Sequence, residues 1–112
     1  MRGKLIIFDA NKPVPRIVEY DHEPIKLNEL NTAVGGYIEV VPYFDTLLLD
    51  GKRQRCVVFC NEQGKLEGLP MNPLAQALWH DALAYQRMGQ IDDYLVGSIA
   101  IAVGDEQFLA EL

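Results

Sequence analysis

Few side chains in this sequence combine the residue types and the spacing that catalysis requires. Ser98 is the only serine, and it lies within an apolar run that predicts a central strand. Cys56 and Cys60 have no neighbour in sequence that would activate a thiol. The two histidines, His22 and His80, are too few for a histidine-rich site, and we expect both to be solvated. The sequence therefore predicts no catalytic residue and favours a protein without enzymatic activity.

The two cysteines are too far apart to act together. They end the run Cys-Val-Val-Phe-Cys, which has the composition of a strand. Four steps along a strand separate Cys56 from Cys60 by about 13 Å, whereas a disulfide requires Cα atoms within roughly 7 Å. The same separation prevents both sulfurs from holding one metal ion. We expect two small apolar side chains on one face of a strand.

Two pairs of carboxylates have the types needed for acid/base chemistry or Mg²⁺ binding. Asp92 and Asp93 are adjacent, so their side chains point to different sides. Glu62 and Glu67 lie on either side of a turn. Neither spacing is specific, and we expect four solvated carboxylates and no metal site.

The Gly35-Gly36 pair is the only feature that suggests a phosphate loop. Phosphate sites use the N–H groups at the start of a helix, whereas this pair follows the end of a predicted helix, where carbonyls point outward. No dinucleotide-binding or P-loop motif is present. We expect Gly35 to close the helix with a left-handed conformation, and we predict no cofactor.

The composition limits the partners of the chain. A net charge of −6 and a pI near 4.7 argue against nucleic acid, which binds clustered Lys and Arg. The only basic cluster, residues 52–55, falls at a predicted hairpin tip. No apolar run approaches the roughly 18 residues of a membrane span, and the run at 5–8 is too short for a signal peptide. We therefore expect a cytoplasmic protein with neither nucleic acid nor membrane as a partner.

Strands dominate the predicted secondary structure. Apolar and β-branched runs bounded by turn residues predict strands at 4–9, 17–20, 37–43, 46–49, 55–60 and 94–103. Asp50-Gly51 predicts a tight hairpin between the fourth and fifth. In the last strand Ile99, Ile101 and Val103 alternate with small residues, so both faces are apolar and the strand belongs in the middle of a sheet.

Two main helices complete the prediction. The first carries Leu27, Leu30 and Val34 on one face and ends at Gly35. The second begins at Asn72 and Pro73, a good N-cap and first-turn pair, and should run to about residue 88. A helical wheel gives it an apolar arc of Leu74, Ala77, Leu78, Ala82, Tyr85 and Met88. It places Gln76, His80 and Arg87 opposite in solvent, and Trp79 and Leu83 near the edge of the arc.

Asp81 falls within that apolar arc. Either a tyrosine hydroxyl or a backbone N–H donates a hydrogen bond to its carboxylate, or part of the arc is an interface through which helix 73–88 forms a homo-oligomer. With a short terminal helical turn at 106–112, the whole chain (1–112) predicts a single α+β domain. We expect a mostly antiparallel sheet of five to six strands with two main helices.

Three separated motifs resemble one known family. They are VGGYIE from residue 34, NEQGKLxGLPxN from residue 61 and VGxIxI from residue 96. In this order they resemble the uncharacterised domain-of-unknown-function family numbered 3846, over about residues 27–109. The segment 74–93 is longer than in the shortest members of that family, and Ser98 stands where its members typically have a threonine. The resemblance implies a phage or mobile-element setting in a bacterial host, and it implies no reaction.

The polar residues of the shared motifs are the candidates for a binding surface. Their glycines and apolar members are explained by turns, caps and core packing. The remaining candidates are Tyr37, Glu39, Asn61, Glu62, Lys65 and Asn72. Our leading hypothesis is an accessory protein that binds a host or phage protein. The alternative is a small-molecule or nucleotide-binding protein with a sequestering role. A small enzyme is the third hypothesis, and a structural oligomer subunit is the fourth.

Overall fold

The protein is one antiparallel sheet with helices on both faces. The computed structural model describes residues 1–112. Its elements in chain order are β1 (Arg2–Phe8), β2 (Arg16–Asp21), α1 (Leu27–Val34), β3 (Ile38–Val40), β4 (Thr46–Leu49), β5 (Lys52–Asn61), α2 (Pro73–Tyr85), β6 (Ile99–Gly104) and α3 (Glu106–Ala110). The strand order is β2-β1-β6-β5-β3, and β4 also pairs with β5. The six strands and the helices confirm the predicted α+β fold.

The central position predicted for the last strand is confirmed. β6 pairs with β1 on one side and β5 on the other. Ile101 faces a core cluster that contains residues of α2, and Ala100 and Ala102 face a second cluster that contains residues of α1 and α3. The strand begins at Ile99, five residues later than predicted. The preceding chain forms a loop in which Gly97 takes a φ of 70°, a conformation that glycine adopts freely.

The predicted strand 37–43 is shorter than expected because its second half forms a bulge. β3 ends at Val40, although Val41 N–H still donates to Val58 O at 2.8 Å. The chain then leaves β5 and returns at Asp45, whose carbonyl accepts from Cys56 N–H. Phe44 within the bulge is fully buried. Residues 42–44 lie outside the ladder, and the burial of Phe44 offsets part of the pairing that is lost.

The buried face of the second helix shares only Ala82 with the predicted arc. α2 buries Ala75, Trp79, Ala82 and Leu83, whereas Leu74 and Tyr85 of the predicted arc are exposed. The indole of Trp79 carries far more apolar area than any alanine, so it decides which side of the helix turns inward. A count of apolar positions gives all of them equal weight and misses this.

Asp81 consequently lies on the exposed side of α2. Its carboxylate pairs with Arg53 at 2.9 Å, and the guanidinium of Arg53 lies 4.3 Å from the centroid of the Tyr85 ring. The helix also ends at Tyr85 instead of residue 88, because Arg87 already takes a positive φ of 57°. The predicted stop at Gly89 was therefore too late.

The first helix is confirmed with one change. Gly35 closes α1 in the left-handed conformation, with a φ of 77°. Leu30 and Val34 are buried as predicted, but Leu27 is exposed and Ala33 takes its place on the buried face. α2, the longest helix, has 13 residues, and none of the helices combines the length and the apolarity needed to span a membrane.

Candidate functional site

A cleft of about 150 Å³ opens on the face of the sheet that α2 covers. Its walls come from four separate segments: β3 with the start of the bulge, the end of β5 with the following turn, the loop 93–96, and α2. Trp79, Leu95 and Val96 are buried residues that line it, so the floor is apolar.

Trp79 fixes the relation between α2 and the bulge. Its indole is only 1% exposed, and its Nε1–H donates to the carbonyl oxygen of Pro42 at 3.1 Å. A buried indole N–H requires a partner, and the interrupted strand supplies one. The side chain therefore holds the helix and the edge of the sheet at a fixed distance across the cleft.

Gln76 attaches the loop 93–96 to the same helix. Its side-chain NH₂ donates to Asp93 O at 3.1 Å, and its side-chain oxygen accepts from Leu95 N–H at 2.8 Å. The prediction that Gln76 lies free in solvent was therefore wrong. Both wall segments of the cleft are bonded to one rigid helix, which preforms the opening.

An ion pair crosses one side of the cleft. Lys65 Nζ donates to Asp93 Oδ1 and lies 4.6 Å from the centroid of the Tyr94 ring. The hydrogen bond from Lys65 is the main cause that lowers the pKa of Asp93, and the same bond raises the pKa of Lys65. Asp93, which we expected to be simply solvated, instead joins the turn after β5 to the loop.

Two further carboxylates at the cleft have no ion-pair partner. Glu39 lies opposite Cys60 in the β3–β5 register, and Glu62 is the first residue after β5. Glu62 N–H donates to Tyr37 O at 3.0 Å, which extends the ladder by one position and places Tyr37 beside Glu62. With Lys65 and Asp93 neutralising each other, Glu39 and Glu62 leave the lining a net charge of −2.

Four of the six candidate residues line this cleft: Glu39, Asn61, Glu62 and Lys65. Tyr37 lies beside them through its backbone contact with Glu62, and its side chain is 73% exposed. The sequence motifs therefore bring five of the six residues into one region. Asn72 lies elsewhere.

The two asparagines have structural roles. The Asn61 amide donates to Gly35 O at 3.4 Å and accepts from Gln63 N–H at 2.9 Å, which shapes the turn after β5. Asn72 is fully buried and donates to Phe8 O and Gly97 O at 2.8 and 2.9 Å. It also caps α2 through Ala75 N–H, as the sequence predicts. Neither amide is free to bind a partner.

Sequence reasoning missed the apolar part of the site. Val40 and Leu66 are 56% and 84% exposed at the cleft, and Tyr94 is also exposed there. Val40 was assigned to a regular strand, and Tyr94 to the start of the last strand. Their shared position depends on the bulge and on the loop 93–96, and neither leaves a sequence pattern.

The nucleophilic side chains are held in unreactive states. Both cysteines are free and pack against the α2 cluster, as predicted for one strand face. Burial is the main cause that raises the pKa of Cys56 to about 12 and of Cys60 to about 11. Ser98 Oγ donates to Asp9 at 2.7 Å. Arg16 holds the pKa of Asp9 below its usual value, which makes this carboxylate a weak base.

Comparison with known families identifies the chain. Curated proteins and solved structures give no match, and no group of three His, Cys, Asp or Glu side chains is arranged to hold a metal ion. A family described as Domain of unknown function (DUF3846) matches residues 1–110. The match reaches further than the motifs, since it includes the β1–β2 hairpin. The chain therefore belongs to the DUF3846 family of uncharacterised domains.

Proposed function

We propose that this protein is a non-enzymatic accessory protein of a phage or mobile element that binds a host or phage protein in the bacterial cytoplasm. The cleft beside Trp79 is the proposed binding site. The observation that carries the proposal is an apolar, preformed opening surrounded by exposed apolar side chains. The setting rests on the sequence resemblance alone.

The size of the cleft suits a side chain of a partner protein. Its volume of about 150 Å³ is half of the roughly 300 Å³ at which ligand pockets begin. An apolar cavity of about this size accommodates a benzene ring. One leucine, methionine or phenylalanine side chain therefore fits the opening, and a nucleotide does not.

The surroundings of the cleft have the composition of a protein interface. Tyr37, Val40, Leu66 and Tyr94 are all exposed around one opening. Contiguous exposed apolar side chains mark interaction sites, and tyrosines are enriched where binding energy concentrates. The acidic residues at the rim supply the polar border that such interfaces have.

The small-molecule or nucleotide alternative has less support. A phosphate would approach two unpaired carboxylates, Glu39 and Glu62, and the one cation, Lys65, is already paired with Asp93. A thermal-shift screen against nucleotides decides between the two functions. A ligand at 100 times its Kd would add about 2.7 kcal/mol of stability, and we expect no such shift.

A homo-oligomer through residues 73–88 is a further alternative, and it also has less support. On the exposed side of α2, Arg53 covers the Tyr85 ring and pairs with Asp81. This arrangement reduces the apolar area available to a second copy. Light scattering coupled to size-exclusion chromatography gives the mass in solution, and we expect the monomer.

Affinity capture with matched variants tests the binding proposal. The double variant Val40→Ser Leu66→Ser removes apolar area from the cleft rim without touching the core. Val14→Ser Leu27→Ser is its control, because these residues match in type and are 70% and 62% exposed outside the cleft. Tagged chains capture proteins from host lysate, and mass spectrometry quantifies them.

We expect at least one protein to be enriched by the wild type and the control but not by the rim variant. Titration of that purified protein should then show an affinity at least about tenfold lower for the rim variant, a loss typical of an interface centre. Equal capture by all three chains would contradict the cleft as the binding site.

A further inference from the structure

We infer that the segment bound by the cleft carries one large apolar side chain flanked by Lys or Arg. This inference rests on the proposed function and specifies the chemistry of the partner. It follows from the apolar lining and volume of the cleft, the charges at its rim and the absence of a free strand edge beside it.

The apolar anchor follows from the lining. Trp79, Leu95 and Val96 present buried apolar surface to a space of about 150 Å³. A polar or charged side chain placed against these three residues would lose its hydration without gaining a hydrogen bond from them, whereas the polar groups lie at the rim. The occupant is therefore an aliphatic or aromatic side chain, and the opening holds only one.

The basic flanks follow from charge complementarity. Glu39 and Glu62 have no ion-pair partner and lie two residues apart along the ladder, while Lys65 is neutralised by Asp93. The whole chain carries −6, so its field also favours a cationic partner. An acidic segment would be repelled at the rim, and a neutral one would leave both carboxylates uncompensated.

Recognition takes place through side chains, because the adjacent edge is closed to strand addition. β3 is an edge strand of only three residues. The N–H of Ile38 is already bonded to Asn31 Oδ1 at 3.1 Å. The bulge that follows interrupts the edge at Pro42, which has no N–H to donate. An extended partner therefore finds no continuous ladder to extend.

An unbiased peptide selection tests the inference. A displayed random-peptide library is selected on the purified wild-type chain, and the enriched peptides are synthesised and titrated. The variants Glu39→Gln Glu62→Gln remove the rim charges without changing shape. Glu23→Gln Glu111→Gln is the control, since both residues are exposed and lie outside the cleft.

We expect peptides that share one Leu, Met or Phe with Lys or Arg within three positions. Their affinity should fall about tenfold in the Glu39→Gln Glu62→Gln variant, stay unchanged in the control, and weaken as salt screens the rim charges. Replacing the apolar residue of the peptide by alanine should abolish binding.

The other outcomes separate this inference from the proposed function. One such outcome is a set of selected peptides that carry no basic residue and bind the Glu39→Gln Glu62→Gln variant as tightly as the wild type. If these peptides still lose affinity for the Val40→Ser Leu66→Ser variant, the inference is overturned and the binding site is kept. Peptides that bind the Val40→Ser Leu66→Ser variant unchanged would contradict both. A selection that enriches no peptide would also overturn the inference, which requires recognition of a short segment.

Discussion

Replacing Asn72 by aspartate should destabilise the protein more than replacing it by alanine. On an exposed helix asparagine and aspartate are equally good N-caps. Here the side-chain NH₂ also donates to Phe8 O and Gly97 O, at 2.8 and 2.9 Å, in a fully buried site. The aspartate would keep the cap to Ala75 N–H but turn a buried carboxylate oxygen towards two carbonyl oxygens.

The magnitude follows from the bonds that are lost. The Asn72→Ala variant loses a cap of about 1 kcal/mol and two hydrogen bonds of about 1 kcal/mol each, so unfolding should require about 3 kcal/mol less free energy. With an m-value of about 1.5 kcal/mol/M in urea, the midpoint falls by about 2 M. The urea midpoint of Asn72→Asp should fall further, because burying an unpaired charge lowers the free energy of unfolding in addition to the lost hydrogen bonds.

Urea denaturation followed by Trp79 fluorescence measures these differences. The matched control is Asp105→Asn, the opposite exchange at the N-cap of α3, where the carboxylate accepts from Phe108 N–H and from Arg2 N–H on the surface. It keeps the cap and loses only the solvent-exposed bond from Arg2, so its urea midpoint should fall far less than that of Asn72→Asp. If Asn72→Asp is as stable as the wild type, Asn72 acts only as a cap and the reasoning fails.

Three further predictions address packing, pH and reactivity. Gly3→Ala should lower the free energy of unfolding by about 1–3 kcal/mol, because a Cβ there would overlap the Phe108 ring; unchanged thermal stability would contradict this. Asp9→Asn should lower the free energy of unfolding by about 1 kcal/mol near pH 7. Arg16 lowers the folded-state pKa of Asp9, so the difference from wild type should persist above pH 4 and shrink as the pH falls below it; a pH-independent difference would refute the assignment. The Cys60 thiol, with its pKa raised from 9.0 to about 11, should react with iodoacetamide at pH 8 about a hundredfold more slowly than in the unfolded chain; equal rates would contradict the burial.

The class of the fold and the positions of its turns and helix caps depend on local sequence, which is why the sequence predicts them. Asp50-Gly51 specifies a tight hairpin through positive φ at both residues. Asn72 specifies a helix start, and alternation in β6 specifies a strand that is covered on both faces. Each signal depends on a few neighbouring residues, so no knowledge of the packing is needed to interpret it.

The cleft depends instead on contacts between distant segments. Glu39, Glu62 and Lys65 could be selected from the sequence because they are polar residues without a turn or cap role. Their relation to Trp79 and Asp93 could not, since Trp79 was placed at the edge of the wrong helical face. The bulge whose Pro42 carbonyl accepts from the Trp79 N–H lies in a run of strand-forming residues, and no sequence pattern there indicates it.

The sequence by itself determined an acidic α+β chain, its turns and caps, and the family to which it belongs. Only the tertiary structure decided which face of α2 is buried and where an apolar opening remains at the surface. The physical reason is that caps and hairpins are fixed by backbone conformation over a few residues. A cleft is the space left where four segments pack imperfectly, and packing is a property of all of them together.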